Sequence, residues 1–451
     1  MSFSGGLMSS LLKQRLNSKL PMVSHAKGVR IYDTDGRDYI DGSGGAMTVG
    51  IGHGVPEVLA ALKAQADQVC FTYRTQFTSR AAEDLAAMLA RLAPGDVDYA
   101  FFVNSGSEAT ELCMRTAIQY WRERGQPQKT HVLGRKTSYH GMTMGALSMS
   151  GHDARRKDYA ELLHPFAVGP TSESWTQAPS EATADFETSE QWLALIAKYG
   201  REKVAAIIVE PIVGAAGGAL TPPIGYLKIL REICDSQDIL LITDEVITGI
   251  GRTGTWFASE HDDVVPDLIA IAKGMTSGYT PMGAVLMRER IVQAMREGSG
   301  SAPFGHTFSA NPLSAATCLA VMRYMEDHDV LANVKRRAVE VEAGLRRLAQ
   351  KYPAMSKVRG RGLLWGFDLH EQKASATPGM NGMFASDCFV EGLIVYPAGF
   401  APRDNAAIVS PALTITESEL QELLSRLDAG LQRFSARPWK LPEPKKSAVT
   451  L

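Results

Sequence analysis

A series of short apolar runs separated by longer helical patterns constrains this chain more than any other feature. The runs are Tyr99–Val103, Thr130–Leu133, Val204–Val209, Ile239–Thr243, Leu268–Ala272 and Met282–Met287, rich in Val, Ile and Phe. Between them lie helical segments such as Thr110–Arg124 and Tyr226–Gln237. Strands without polar alternation are covered on both faces. The pattern therefore predicts an α/β layer fold with a largely parallel central sheet. This block occupies residues 51–305 and reads as a large domain.

The C-terminal part, 306–451, has a different pattern. Asn311–Glu326, Leu331–Lys351 and Glu417–Phe434 read as helices, and Arg359–His370, Gly392–Pro397 and Ala406–Ser410 as strands. Together they predict a smaller α+β domain. In the first 50 residues, Asp35-Gly36 sits between apolar alternations, a hairpin signal. That segment is expected to join the small domain or a subunit edge. Thr171–Glu190 is polar, lacks periodicity and reads as a surface insertion.

Composition excludes several classes. Lys and Arg total 47 against 49 Asp and Glu, a net charge of −2, so no basic excess points to nucleic acid. No apolar stretch approaches the roughly 18 residues of a membrane span, and the N-terminus has no signal-peptide run. The five cysteines are scattered singly, which fits neither a disulfide framework nor a zinc site. A cytoplasmic enzyme without a metal is the expectation.

The stretch Gly249-Ile-Gly-Arg-Thr-Gly254 spells the glycine pattern of a dinucleotide loop. Its context does not fit, because no long helical period follows Gly254 and the acid expected about 20 residues on is missing. The charges lie elsewhere. The strand before the glycines ends in Asp244 and Glu245, and the strand after them ends in Lys273. The C-terminal edge of an open α/β sheet is where ligands bind. Pyridoxal phosphate needs a lysine amine for its Schiff base and an acid on its pyridine nitrogen, and Lys273 and Asp244 can supply both. Such a cofactor also needs a phosphate cradle. Asn104-Ser-Gly-Ser-Glu108 joins a strand to a helix, with a capping-box pattern from Ser105 to Glu108 and a glycine that admits close approach. Taken separately, the first pair could be a plain ion pair and the second only a well-capped helix.

Taken together, "NSGSEAT" (104–110), "SYHGMTMGALSMSG" (138–151), "IIVEP" (207–211), "TDEVITGIGRTG" (243–254), "PDLIAIAKGM" (266–275) and "GHTFSANPLSAA" (305–316) resemble the blocks of the class III (ω-amino) aminotransferases, in order and spacing. The resemblance covers roughly residues 20–435. It implies the fold type I architecture of pyridoxal-phosphate enzymes, with the small domain built from both chain ends. It implies Lys273 as Schiff-base lysine and proton shuttle, and Asp244 on the pyridine nitrogen. Val246 and Tyr139 would lie on the two ring faces, and Gly106 and Ser107 on the phosphate. Thr307 would reach the phosphate of a partner subunit in a homodimer, with a tetramer left open.

The same resemblance places Ala46 and Met47 in a roomy donor pocket and Glu210 near the substrate. Ornithine- and aminobutyrate-type members carry an arginine before a Pro-Pro pair, where this chain has Ile408 and Ala412. Arg403 matches instead the mobile arginine of amine:pyruvate members, or is a solvated loop residue. Arg252 reads as structural, and His140 and His306 as satisfied loop histidines. The implied reaction moves an amino group from an amine or ω-amino acid to an oxo acid, pyruvate by expectation. Aminomutases, dialkyl-amino-acid decarboxylases and amino-phosphate lyases share these cofactor residues and remain alternatives. A nicotinamide oxidoreductase and a non-catalytic relative are the rivals from other classes.

Overall fold

The chain begins with a hairpin where Asp35-Gly36 predicts one. In the computed structural model, β1 (Val23–Lys27), β2 (Arg30–Asp33) and β3 (Asp38–Asp41) pair antiparallel in sequence. Gly36 turns at φ +82°, and Asp33 Oδ1 accepts the Asp35 and Arg37 N–H groups. The structure describes residues 10–14, 16, 18–166, 168–170, 186–370, 379–400 and 403–437.

The central sheet follows the apolar runs to within two residues at each end. It contains β4 (Tyr99–Val103), β5 (His131–Arg135), β6 (Val168–Gly169), β7 (Val204–Val209), β8 (Leu240–Asp244), β9 (Leu268–Ile271) and β10 (Gly283–Met287), in the order 4-10-9-8-7-5-6. β6, β5, β7, β8 and β9 are mutually parallel, and β10 runs antiparallel to both β9 and β4. Two antiparallel pairings in succession return β4 to the common direction. The C-terminal ends of β4, β5, β7, β8 and β9 therefore share one edge. Every residue of β7, β8, β9 and β10 is buried, as strands covered on both faces must be.

Beyond the sheet, two sequence expectations split. Arg359–His370 is not one strand. It spans parts of β11 (Met355–Arg361) and β12 (Leu364–Leu369), which turn at Gly362 with φ +60°. A Cβ there would stand 2.5 Å from the Arg252 carbonyl oxygen, so the turn is pressed onto that backbone. Gly392–Pro397 divides likewise between β13 (Leu393–Ile394) and β14 (Tyr396–Phe400). β13 runs parallel to β3, which ties the N-terminal hairpin to the C-terminal region. β14 pairs antiparallel with β15 (Arg403–Val409).

The helices Pro312–Asp327, Val330–Lys351 and Glu417–Ser435 appear where periodicity places them. The first is capped by Asn311, whose side chain accepts the Ser314 N–H, and the last by a Thr416–Glu419 capping box. Pro312–Asp327 packs on helices Pro56–Gln68 and Arg80–Leu92. Of the polar stretch Thr171–Glu190, residues 171–185 lie outside the described residues, and Phe186–Glu190 opens the helix Phe186–Tyr199. Among the described residues, no helix is long and apolar enough to cross a membrane. Cys70 is exposed, and the other four cysteines are free and buried.

Candidate active site

The shared strand edge borders a cavity of about 410 Å³. Strands β4, β5, β7, β8 and β9 each lead residues into the wall. Asn104 to Ser107 follow β4, Tyr139 to Gly141 follow β5, Glu210 follows β7, Asp244 ends β8 and Lys273 follows β9. Thr280 to Met282, just before the antiparallel β10, close the same side.

Lys273 holds a backbone φ of +40°, unusual for a residue with a Cβ and typical of strained functional positions. Surrounding protein strips water from its amine and draws its pKa down to about 8. The carboxylates of Asp244 and Glu210 oppose that shift, and the cations of Arg155 and Arg252 add to it.

Asp244 is 5% exposed. Its Oδ1 accepts the Val246 N–H at 3.1 Å, and its Oδ2 lies 2.8 Å from His140 Nδ1. A carboxylate can only accept, so Nδ1 carries the hydrogen. The His140 backbone is pinned as well, its N–H donating to Ser150 Oγ at 2.8 Å and its carbonyl accepting from Thr110 Oγ1. His140 lies in a loop as expected, and its partner there is Asp244. Its ring reaches the aspartate at the end of β8, 104 residues away. No short-range sequence signal marks that contact. His306 is exposed, 3.9 Å from Glu108.

The neighbouring Glu245 faces the other way. Its carboxylate accepts the Ala258 and Ser259 N–H groups and the Thr248 hydroxyl, and burial pushes its pKa up to about 7. Strand alternation sends one carboxylate of the pair to the cavity and the other to the loop that follows.

Helix Gly106–Glu123 points its N-terminus at the cavity. Ser105 caps it by accepting the Glu108 N–H at 3.2 Å. The capping box is only half formed, because the Glu108 carboxylate reaches the N–H and side-chain amide of Asn104 rather than Ser105. A Cβ on Gly106 would lie 2.9 Å from Val246 Cγ1, so only glycine lets that wall close. Gly141 has φ +137°, and its missing side chain leaves room for Ser107, whose Oγ accepts the Met142 N–H at 3.0 Å.

Tyr139 donates its N–H to Glu210 Oε1 at 2.9 Å, and Gly214 donates to Oε2 at 2.9 Å. Burial raises the pKa of Glu210, and no arginine pairs with it among the described residues.

Lys273, Asp244, Gly106, Ser107, Tyr139, Val246 and Glu210 thus all line one cavity. Thr307 is exposed and does not line it. From the segment expected at the donor side, the lining residue is Thr48. Ala46 is exposed, and Met47 turns at φ +59° into an apolar cluster with Ile212, Ile247 and Ile408. The Arg403 backbone begins β15, and its side chain lies outside the described residues.

The glycine loop holds no helix N-terminus. After Gly254 comes only the short 3-10 helix Ala258–Asp262. A Cβ on Gly251, at φ +84°, would sit 2.6 Å from Met325 Cε, so the glycines turn the chain under helix Pro312–Asp327. Arg252 donates to the Leu363 and Pro411 carbonyls, a structural tie, and burial draws its pKa down to about 10.

A largely parallel sheet that brings a desolvated lysine, a buried aspartate and a helix N-terminus to one cavity is the fold type I architecture of pyridoxal-phosphate enzymes. The profile of the class-III aminotransferases matches residues 13–431. The chain is 42% identical over 435 residues to the uncharacterized aminotransferase YodT of Bacillus subtilis, covering 93% of this chain and 96% of that one. It is 34% identical to the putrescine–pyruvate aminotransferase of Pseudomonas aeruginosa, with 91% of each chain covered. A PLP-bound amine transaminase from an uncultivated Pseudomonas species superposes with a TM-score of 0.85 at 32% identity, covering 96% and 99% of the two chains. The protein belongs to the class III aminotransferases, which use pyridoxal phosphate to transfer amino groups.

Proposed function

We propose that the cavity binds pyridoxal 5'-phosphate and moves an amino group from an amine or ω-amino acid to an oxo acid, pyruvate first among them. The observation that carries this reading is the opening of Lys273 and Asp244 onto one cavity beside the N-terminus of helix Gly106–Glu123. The residues fit the cofactor. The Gly106 and Ser107 amides and the helix dipole suit a phosphate dianion, and the cleft closed by Val246 over Gly106 suits a flat ring facing Tyr139.

When bound, the cofactor supplies an electron sink for the bond that breaks at the donor carbon. The protein supplies the rest. Asp244, oriented by His140, holds a proton on the pyridine nitrogen. Lys273 Nζ would hold the cofactor through its aldehyde carbon, and once free it would be placed to carry a proton from the donor carbon to the cofactor. Thr307 serves the phosphate of a second copy, and the exposed Phe304 and Phe308 beside it support its burial in a homodimer. Glu210, Ala46, Met47 and Arg403 remain substrate-side candidates, with Thr48 added. Pyruvate is favoured by the absence of an arginine at Ile408 and by the reaction named for the Pseudomonas aeruginosa relative. We also read residues 51–305 as the cofactor-binding unit, with 1–50 and 306–451 forming the smaller one. The scattered, unpaired cysteines fit a cytoplasmic setting.

The test is the visible absorption of the purified protein as a panel of amines is added without acceptor. A yellow band that bleaches with donors and returns with pyruvate is the expected result. A protein that stays colourless with added pyridoxal phosphate refutes the reading.

The lowered lysine pKa gives a second expectation. Only the neutral amine attacks an aldehyde, and with a pKa of about 8 its population rises roughly tenfold between pH 7 and 9. The rate at which apoprotein captures pyridoxal phosphate should rise by about that factor and level off above pH 9. Stopped-flow absorbance across this range reads it directly. A rate still climbing tenfold per unit toward pH 10.5 would mark an ordinary, solvated lysine.

A further inference from the structure

The turn that begins at Lys273 also holds a second segment of the chain. The Thr276 N–H donates to the Lys273 carbonyl and the Ser277 N–H to the Gly274 carbonyl, each at 3.1 Å. The backbone then reverses at Ser277 and Gly278, with φ of +52° and +80°. Ser277 is buried and does not line the cavity. Its Oγ accepts two successive backbone N–H groups, those of Gly50 and Ile51, each at 2.9 Å. Two residues on, the Tyr279 hydroxyl donates to the Gly52 carbonyl at 3.1 Å and accepts the Val55 N–H at 2.8 Å.

Gly50 to Gly52 lie in neither helix nor strand, so side chains must satisfy much of their backbone. The other edge of the same strip is held from the C-terminal region. The Leu413 N–H donates to the Gly50 carbonyl at 2.6 Å, and Thr414 Oγ1 to the Ile51 carbonyl at 3.1 Å. Two residues before Gly50 stands Thr48, which lines the cavity as Gly278 does. A Cβ on Gly278 would meet Thr48 Cγ2 at 3.5 Å, so the two walls touch. The segment carrying Thr48 is thus set between the C-terminal region and the turn of Lys273. A hydroxyl oxygen has two lone pairs, and Ser277 spends both on this strip. Without them, two buried N–H groups would lack an acceptor, and the strip could recover only by moving, with Thr48 attached.

We propose that Ser277 is a positioning residue for transamination: its hydroxyl fixes the wall at Thr48 relative to Lys273 and so limits the size of amine that the site accepts. The inference rests on the transaminase reading above and places donor-size discrimination on a residue outside the cavity lining.

The experiment follows bleaching of the visible band of the holoenzyme without acceptor. Two donors are used, the smallest and the bulkiest amine of the panel that bleach the wild type, such as isopropylamine and benzylamine. Ser277→Ala should raise the apparent KM for the small amine about tenfold, with the maximal bleaching rate changed by less than about threefold. The ratio of kcat/KM for the small over the bulky amine should fall about tenfold, the scale on which an apolar pocket discriminates size. The position of the bound-cofactor band should not move. Ser277→Gly relieves the positive φ but also lacks the acceptor, so it should show the same fall in ratio whatever its thermal stability. Tyr279→Phe, which removes the neighbouring hydroxyl and keeps the ring, should shift the ratio in the same direction. A lowered Tm with an unchanged ratio in Ser277→Ala would make Ser277 a stabilising residue only and overturn the proposal. So would a wild-type ratio in Ser277→Gly, or equal losses with both amines accompanied by a shifted cofactor band. A wild-type holoenzyme that no amine bleaches would remove the transaminase reading instead, before any variant is compared.

Discussion

A Lys273→Ala variant is expected to lose turnover by about 10⁴-fold or more while keeping its fold. The size follows from two functions residing in one amine. As the proton carrier alone, a positioned base contributes roughly 10² to 10⁴. As the covalent anchor it also holds the cofactor, and its loss adds to that. The residue is suited to both by its surroundings. Desolvation brings its pKa to about 8, so a useful share of the amine is neutral near pH 7.5, and Asp244 and Glu210 keep the shift from going further. The strained φ of +40° aims the side chain from the end of β9 into the cavity, and alanine would feel the same strain without the function. Single-turnover absorbance with a good amine, together with thermal unfolding, checks the expectation. A folded variant that turns over at near wild-type rate would remove Lys273 from the mechanism.

The second large effect is expected at Asp244. Asp244→Asn keeps the shape and replaces the charge, and kcat should fall by about 10² to 10³, the usual cost of removing one preorganised electrostatic partner. The variant should still bind cofactor, since Gly106, Ser107 and Lys273 are untouched. The asparagine has one acceptor oxygen in place of two, so it keeps the bond from the Val246 N–H only by turning its NH2 toward His140, whose ring must then switch tautomer, and it cannot hold a proton on the pyridine nitrogen. His140→Ala supplies the comparison. It leaves the carboxylate in place and removes the 2.8 Å hydrogen bond that orients it, so about a tenfold loss is expected. If both variants lose the same small factor, Asp244 serves packing rather than charge. A shift of the bound-cofactor absorption band in Asp244→Asn and not in His140→Ala would tie the effect to the ring nitrogen.

How much of this site could be read beforehand differs residue by residue. Asp244 and Lys273 were legible because each closes an apolar run, and in a parallel sheet such ends meet at one edge. Gly106 and Ser107 were legible for the same reason, since a strand followed at once by a capped helix places that helix terminus at the edge. His140 was not, because its partner is 104 residues away and a histidine in a loop gives no local sign of what its ring meets. Thr48 was missed in favour of Ala46 and Met47, because the backbone reverses at Gly44 and Gly45 and then takes φ +59° at Met47, which turns Met47 inward and leaves Ala46 exposed. Arg155 and Arg156 are identical neighbours in the sequence. Only the structure closes three carbonyls on Arg156 and sets Arg155 over the Tyr139 ring.

The sequence alone therefore determined the layers, the sheet direction and the residues at strand ends, because burial of apolar runs and the capping of helix termini act over a few residues. The tertiary structure decided which polar groups meet across the cavity. Those meetings depend on the order 4-10-9-8-7-5-6 of the strands and on loop reversals at positive φ, and both are set by packing between segments far apart in the chain.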